Sequence, residues 1–258
     1  MHHQKIILFD FDGVIINGID EYWFSSKLAC EKYLFPNWKF LNIAKYNKTP
    51  KIFVEIRPWV KYGWEMILLT HEILKTHKPL DHFTKSSFLE NYEENCLQLL
   101  AEYEWESSDL QRYLDNARQY QIKKDFKRWI SLHQPFNEVV SFIRYAKEKD
   151  YKIGIISTKS KIFTSKILSK LELFPDLIFG YESGNKVDII SNLSQSYNIR
   201  GFIEDRRKTL SNIIDNNQTK FINCYLAEWG YLKNTDKKNL PNGIKLLKIK
   251  NLEDLLAN

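Results

Sequence analysis

The sequence predicts an α/β protein: a doubly wound, mostly parallel sheet whose chain is interrupted, after its first strand, by an all-helical module. Three observations carry that expectation. Apolar, β-branched runs end abruptly on polar residues: Ile6-Ile7-Leu8-Phe9 before Asp10, Ile153-Gly154-Ile155-Ile156 before Ser157, and Gly201-Phe202-Ile203 before Glu204. Short continuous apolar runs are strands buried on both faces, the condition of a parallel sheet under helices. Helical spacing alternates with these runs, as a doubly wound sheet requires. The stretch from about residue 18 to 132 differs in composition: it holds six of the seven tryptophans and, past Gly18 at its edge, only Gly63 of the nine glycines.

In chain order, the first strand lies within residues 1–17. Helical segments follow near 20–34, 58–77, 85–105 and 108–130; Trp59, Met66, Ile67, Ile73 and Leu74 show the spacing. Such aromatic and methionine stripes are read as core rather than as a cofactor box. The sheet region resumes at 133 and runs to 258. Pro135 is expected to open a helix carrying Val139, Val140, Phe142, Ile143 and Ala146, with a charged end at 147–150. Then come a strand at 153–156, a helix from Ser160 to Leu173, a strand at Leu177-Ile178-Phe179 and a helix from Val187 to Tyr197. A strand at 201–203, a helix from Thr209 to Asp215 and a strand from Phe221 to Leu226 complete the expectation.

Composition excludes several classes. With 43% hydrophobic and 14% aromatic residues, 258 residues can bury a sizeable core, so disorder is excluded. No apolar run approaches the roughly eighteen residues of a membrane helix, and the opening MHHQKIILFD has no signal-like apolar stretch, so a cytoplasmic protein is expected. The net charge of +6 is spread along the chain, which can steer anionic substrates but forms no nucleic-acid stripe. Cys30, Cys96 and Cys224 are odd in number and far apart; they are read as buried free thiols. His71, His77 and His82 lack zinc spacing, and Gly180–Lys186 misses the phosphate-loop pattern by one position, with Val187 where Ser or Thr belongs.

The chemistry gathers at strand ends, where ligands of open parallel sheets bind. In Phe9-Asp10-Phe11-Asp12-Gly13-Val14, two carboxylates one residue apart point the same way if the strand continues, and Gly13 permits a sharp turn. Paired like charges call for a cation or a proton. An oxygen-rich set of this kind suits Mg²⁺.

These residues resemble the first motif of the haloacid dehalogenase superfamily, in its phosphatase branch. Ile155-Ile156-Ser157-Thr158-Lys159 resembles the second motif, Lys186 in Gly184-Asn185-Lys186-Val187-Asp188 the third, and Phe202-Ile203-Glu204-Asp205 the fourth. Trp229-Gly230-Tyr231 also resembles a segment common in these enzymes. The resemblance covers about residues 4–17 and 133–235, and it implies roles. Asp10 would be the nucleophile that becomes an aspartyl-phosphate, and Asp12 the general acid and base. Mg²⁺ would be held by Asp10, the Asp12 carbonyl, Asp205 and Glu204. Ser157 and Lys186 would bind the phosphoryl group, with Phe11, Thr158 and Lys159 beside the substrate. An acid at position 12 favours phosphoryl transfer over dehalogenation, because a leaving halide needs no proton.

The proline that often follows the third-motif lysine is absent, so Lys159 or Lys161 stand as alternatives to Lys186. The insert at 18–132 falls where the family carries cap domains, and Arg57, in Glu55-Ile56-Arg57-Pro58-Trp59, could face a substrate anion. The implied activity is a phosphatase acting on a small phosphorylated metabolite, as a monomer or homodimer. A phosphomutase or phosphotransferase on the same core is the alternative, and a non-catalytic binding protein is a third.

Overall fold

The computed structural model describes residues 4–34 and 41–256. The chain divides into two compact units, Met1–Asn17 with Gln134–Asn258, and Gly18–His133. The boundary after the insert lies one residue later than the sequence suggests. His133 goes with the helical unit because its Nδ1 lies 3.0 Å from the Trp129 carbonyl and its Nε2 3.8 Å from Glu21.

The first unit is built on six parallel strands, β1 (Gln4–Phe9), β4 (Lys152–Ile156), β5 (Leu177–Phe179), β6 (Tyr197–Glu204), β7 (Cys224–Ala227) and β8 (Ile244–Leu247), in the order β5-β4-β1-β6-β7-β8. β1 is central because its residues are apolar on both sides. Ile6 and Leu8 share a buried cluster with Ile190 of α9 (Lys186–Ser194) and with Leu210 and Ile213 of α10 (Arg207–Asp215). Phe9 meets Phe142 of α7 (Asn137–Glu148) edge-on, at 6.3 Å between ring centroids. Strand order reverses about β1, so its carboxyl end is a switch point, where open α/β sheets bind ligands. Two short strands, β2 (Ile16–Asn17) and β3 (Gln134–Pro135), pair antiparallel and form the ribbon by which the chain leaves and re-enters this unit.

Local chemistry explains the departures from expectation. Pro135 does not open α7: it sits in the ribbon, and an extended Phe136 (φ −79°, ψ 98°) precedes the helix at Asn137. α9 stops at Ser194 and β6 already begins at Tyr197, which pairs with Gln4; the strand claims residues whose spacing continues the helical pattern. β7 starts at Cys224 rather than Phe221, because the Ile222 N–H closes a turn on the Thr219 carbonyl and Phe221 faces solvent. β8 was not expected. Its four residues, Ile-Lys-Leu-Leu, form no continuous apolar run, because Lys245 interrupts them.

The helical unit contains α1 (Ile19–Tyr33), α2 (Lys51–Ile56), α3 (Gly63–Leu74), α4 (Lys85–Glu90), α5 (Tyr92–Glu102) and α6 (Ser107–Ser131). Pro58 lies in a tight turn at Arg57–Trp59, so the segment expected from 58 becomes a helix only at Gly63; α2, ahead of it, was not expected. Asn91 (φ −124°, ψ 49°) separates α4 from α5. Inside α6, Asp125 leaves helical geometry (φ −158°, ψ 87°) and its Oδ1 accepts the Arg128 N–H at 3.0 Å, restarting the last turns as a cap would. Trp23 is the aromatic centre of the unit, against Phe53 at 5.1 Å and Tyr46 at 5.9 Å. No described helix is long and apolar enough to cross a membrane.

Candidate active site

The site forms where β1, β4 and β6 end. The Asp10 N–H still bonds to the Ile203 carbonyl at 2.8 Å, so its side chain stays in line with the sheet. Beyond it the chain folds into a tight turn. The Phe11 carbonyl accepts N–H groups from Ile15 (2.9 Å) and Ile16 (3.1 Å), and Gly13 takes φ 91°. Gly13 is required for a second reason: a Cβ there would stand 2.0 Å from Asp205 Oδ2. Gly230 approaches as closely from the other side, its hypothetical Cβ 2.2 Å from that of Asp205. Phe11 is wholly buried, so its ring packs into the core rather than presenting a face to a substrate.

Asp10, Glu204 and Asp205, all buried, bring carboxylate oxygens within 4.8 Å of one another. Lys186, the first residue of α9, places its ammonium 2.5 Å from Asp10 Oδ1 and 2.7 Å from Glu204 Oε2. Asn185 caps that helix by accepting the Asp188 N–H at 2.9 Å, which fixes where Lys186 emerges. Burial pushes the Asp10 carboxyl up to about 7, aided by the neighbouring Glu204 charge; Lys186 opposes but does not cancel this. Burial would lower the Lys186 ammonium, yet Asp10 and Glu204 hold it well above its ordinary range. Glu204 Oε1 accepts the N–H groups of Asp205 and Arg206, both at 3.1 Å, and Asp205 Oδ2 accepts the Tyr231 N–H at 2.8 Å.

The donor set fits a hard divalent cation. Three buried carboxylates bring their oxygens to one spot, an all-oxygen donor set of the kind such a cation takes. The Asp12 carboxylate is not one of the three; it stands 3.7 Å from Lys159 Nζ. Lys159 is almost fully buried, and its N–H donates to Ser157 Oγ at 2.9 Å. The three candidate lysines therefore take different places: Lys186 serves Asp10 and Glu204, Lys159 faces Asp12, and Lys161 is exposed, its N–H on Glu182. Ser157, buried after β4, is not a helix cap; Ser160 does that for α8 (Lys161–Lys170) by accepting the Phe163 N–H. Thr158 is half-buried beside it. Arg57 belongs to the helical unit, where Nη1 donates to the Val60 carbonyl at 3.2 Å and the guanidinium lies 5.8 Å from the centroid of the Tyr22 ring.

Sequence reasoning singled out Trp229-Gly230-Tyr231 without giving it a role. The segment closes the site from β7: Trp229 Nε1 donates to the Val14 carbonyl at 3.0 Å and Tyr231 OH to Asn17 Oδ1 at 2.7 Å. A glycine between two aromatics just past a strand was its available signal.

A parallel α/β sheet with acidic residues and a lysine converging at its switch point defines a ligand-binding α/β protein. The model of the haloacid dehalogenase-like hydrolase family matches residues 4–197, and the chain belongs to that family. No curated protein matches it in sequence. Among solved structures, it is similar to a predicted phosphatase from Clostridium acetobutylicum, with 16% identity, TM-score 0.59, and 100% of this chain and 99% of that one covered. A predicted phosphoglycolate phosphatase from Haemophilus somnus gives 14% identity and TM-score 0.57, covering 99% of both chains. A Thermotoga maritima protein provisionally named a β-phosphoglucomutase gives 12% and 0.53, covering 98% of both. At these identities the likeness shows the fold.

Proposed function

We propose that this hydrolase is a Mg²⁺-dependent phosphatase acting on a small phosphomonoester through an aspartyl-phosphate on Asp10. The observation that carries the reading is the convergence of Asp10, Glu204 and Asp205 on one spot, with Lys186 on Asp10 and Glu204 and with Asp12 two residues from the nucleophile. Asp10, Glu204, Asp205 and the Asp12 carbonyl would hold the cation. When bound it would supply positive charge that lets the Asp10 carboxylate ionise and approach a phosphate dianion.

Each remaining step belongs to side chains of the chain itself. An Asp10 oxygen attacks phosphorus, an O–P bond forms and the ester O–P bond breaks, and Asp12 protonates the departing alkoxide. Asp12, now a carboxylate, takes a proton from water, whose oxygen displaces Asp10 and releases phosphate. Lys186 keeps its charge throughout and balances that gathering on the phosphoryl oxygens. Ser157, Thr158 and the main chain at Phe11 would hold those oxygens, Lys159 would orient Asp12 and touch the substrate, and Arg57 would meet an anion of the substrate. The partner is a small phosphorylated metabolite, with neither nucleic acid nor membrane involved. The protein acts as a monomer or homodimer in the cytoplasm, a setting consistent with its three buried free thiols.

The test is phosphate release from an aryl phosphate and a panel of metabolite phosphates, with Mg²⁺ or with excess EDTA, beside Asp10→Asn. Turnover that requires Mg²⁺ and vanishes in the variant is expected; full turnover in EDTA would sink the reading. Isomerisation of a sugar phosphate without phosphate release would instead identify a mutase on the same core.

A further inference from the structure

We propose that Tyr231 is a positioning residue that ties the Asp205 carboxylate to the ribbon at Asn17, so that cation binding stiffens the chain where it leaves the sheet unit. This rests on reading Asp10, Glu204 and Asp205 as a metal site. Three contacts of Tyr231 carry the inference, each with a different consequence. Its N–H donates to Asp205 Oδ2 at 2.8 Å, fixing the rotation of that carboxylate. Its ring lies against Gly13, close enough that a Cβ on Gly13 would come within 2.7 Å of Cδ2. Its hydroxyl donates to Asn17 Oδ1 at 2.7 Å, and Asn17 pairs with Gln134 across the ribbon.

One residue therefore spans from a carboxylate of the site to the last residue before the helical insert. The neighbouring Trp229 reinforces the link, its indole N–H on the Val14 carbonyl at 3.0 Å. Groups that hydrogen-bond a metal ligand orient it and tune its affinity. A hydrogen bond to a charged acceptor is shorter and stronger than one between neutral groups, so the two partners tend to move together. A cation that fixes Asp205 thereby fixes the Tyr231 main chain, and through the rigid ring and its hydroxyl, Asn17. The coupling runs both ways: loosening Asn17 weakens the cation.

The experiment uses the full chain without substrate. Mn²⁺ affinity is measured by calorimetry in wild type, Tyr231→Phe, Asn17→Ala and the double variant. Hydrogen exchange at the peptide containing Asn17 is followed with and without Mg²⁺. Each single variant is expected to bind Mn²⁺ about fivefold more weakly, the scale of one hydrogen bond, and the double variant no more weakly than either. Mg²⁺ should slow exchange at Asn17 in wild type and not in Tyr231→Phe. Wild-type Mn²⁺ affinity in Tyr231→Phe, even with a lowered melting temperature, would overturn the proposal, as would losses that multiply in the double variant. A wild-type protein that takes up no Mn²⁺ would overturn the metal reading and this proposal together, whereas normal uptake with unchanged variants overturns this proposal alone.

Discussion

Lys186 and Asp10 are 176 residues apart in the chain, yet their side chains meet at 2.5 Å. The ammonium is nearly enclosed by its two carboxylate partners, so its charge is not dispersed by water. Lys186→Met would remove the ammonium that Asp10 and Glu204 share, and it should lower turnover of an aryl phosphate by about 10²–10³-fold, the usual cost of one charge-stabilising contact. Steady-state kinetics with saturating Mg²⁺ check this, with circular dichroism confirming the fold; a variant within threefold or so of wild type would remove Lys186 from the machinery. Lys159 occupies a different position, beside Asp12.

At the scale of elements, α1 and α6 are joined by a buried ion pair. Arg118 grips Glu21 through Nε at 2.8 Å and Nη2 at 3.1 Å, Ser25 donates to Glu21 at 2.6 Å, and Gln121 donates to Ser25 at 2.8 Å. Both charges are withdrawn from water. Burial would lower the Arg118 guanidinium, but Glu21 outweighs it and holds the group above its ordinary range. Arg118→Met strands the Glu21 charge and should destabilise the protein by about 3–5 kcal/mol in urea unfolding. Adding Glu21→Met should recover most of that loss, since apolar replacements of similar volume remove the desolvation cost along with the attraction. A double variant as unstable as Arg118→Met alone would show that the pair itself is strongly stabilising.

For the whole molecule, the three cysteines report on both units. Cys30 and Cys96 lie in the helical unit and Cys224 in the sheet unit, all buried and free. Burial pushes the Cys96 and Cys224 thiols up to about 12 and Cys30 well above its usual range. Reaction needs the thiolate, so native protein at pH 8 should be inert to an aromatic disulfide reagent while denatured protein titrates three thiols. Addition of denaturant in steps should release Cys224 separately from Cys30 and Cys96 if the units unfold one at a time. A thiol that reacts rapidly in native protein would contradict the burial.

The sequence by itself determined the strands at 6–9, 153–156, 177–179 and 201–203, with Asp10, Ser157 and Glu204 after three of them, because an apolar run that ends abruptly on a polar residue is a local pattern. It also predicted helices near 20–34, 58–77, 85–105 and 108–130, through the spacing of their apolar residues, and the described residues there are mostly helical. It could not locate β8, since Lys245 interrupts its apolar run, nor the early start of β6, where Tyr197 and Ile199 fit helix and strand spacing alike. Which lysine serves which carboxylate was likewise undecidable. Lys159 reaches the site from the loop after β4 and Lys186 from the first turn of α9, and only the order β4-β1-β6, set by burying Ile6, Leu8 and Phe9 on both faces of the central strand, brings them to one place. The role of Tyr231 was hidden for the same reason: its partners, Asp205 and Asn17, are 26 and 214 residues away. Local pattern specifies the elements and their chemistry; tertiary packing specifies the contacts, because burial of the sheet fixes which strand ends become neighbours.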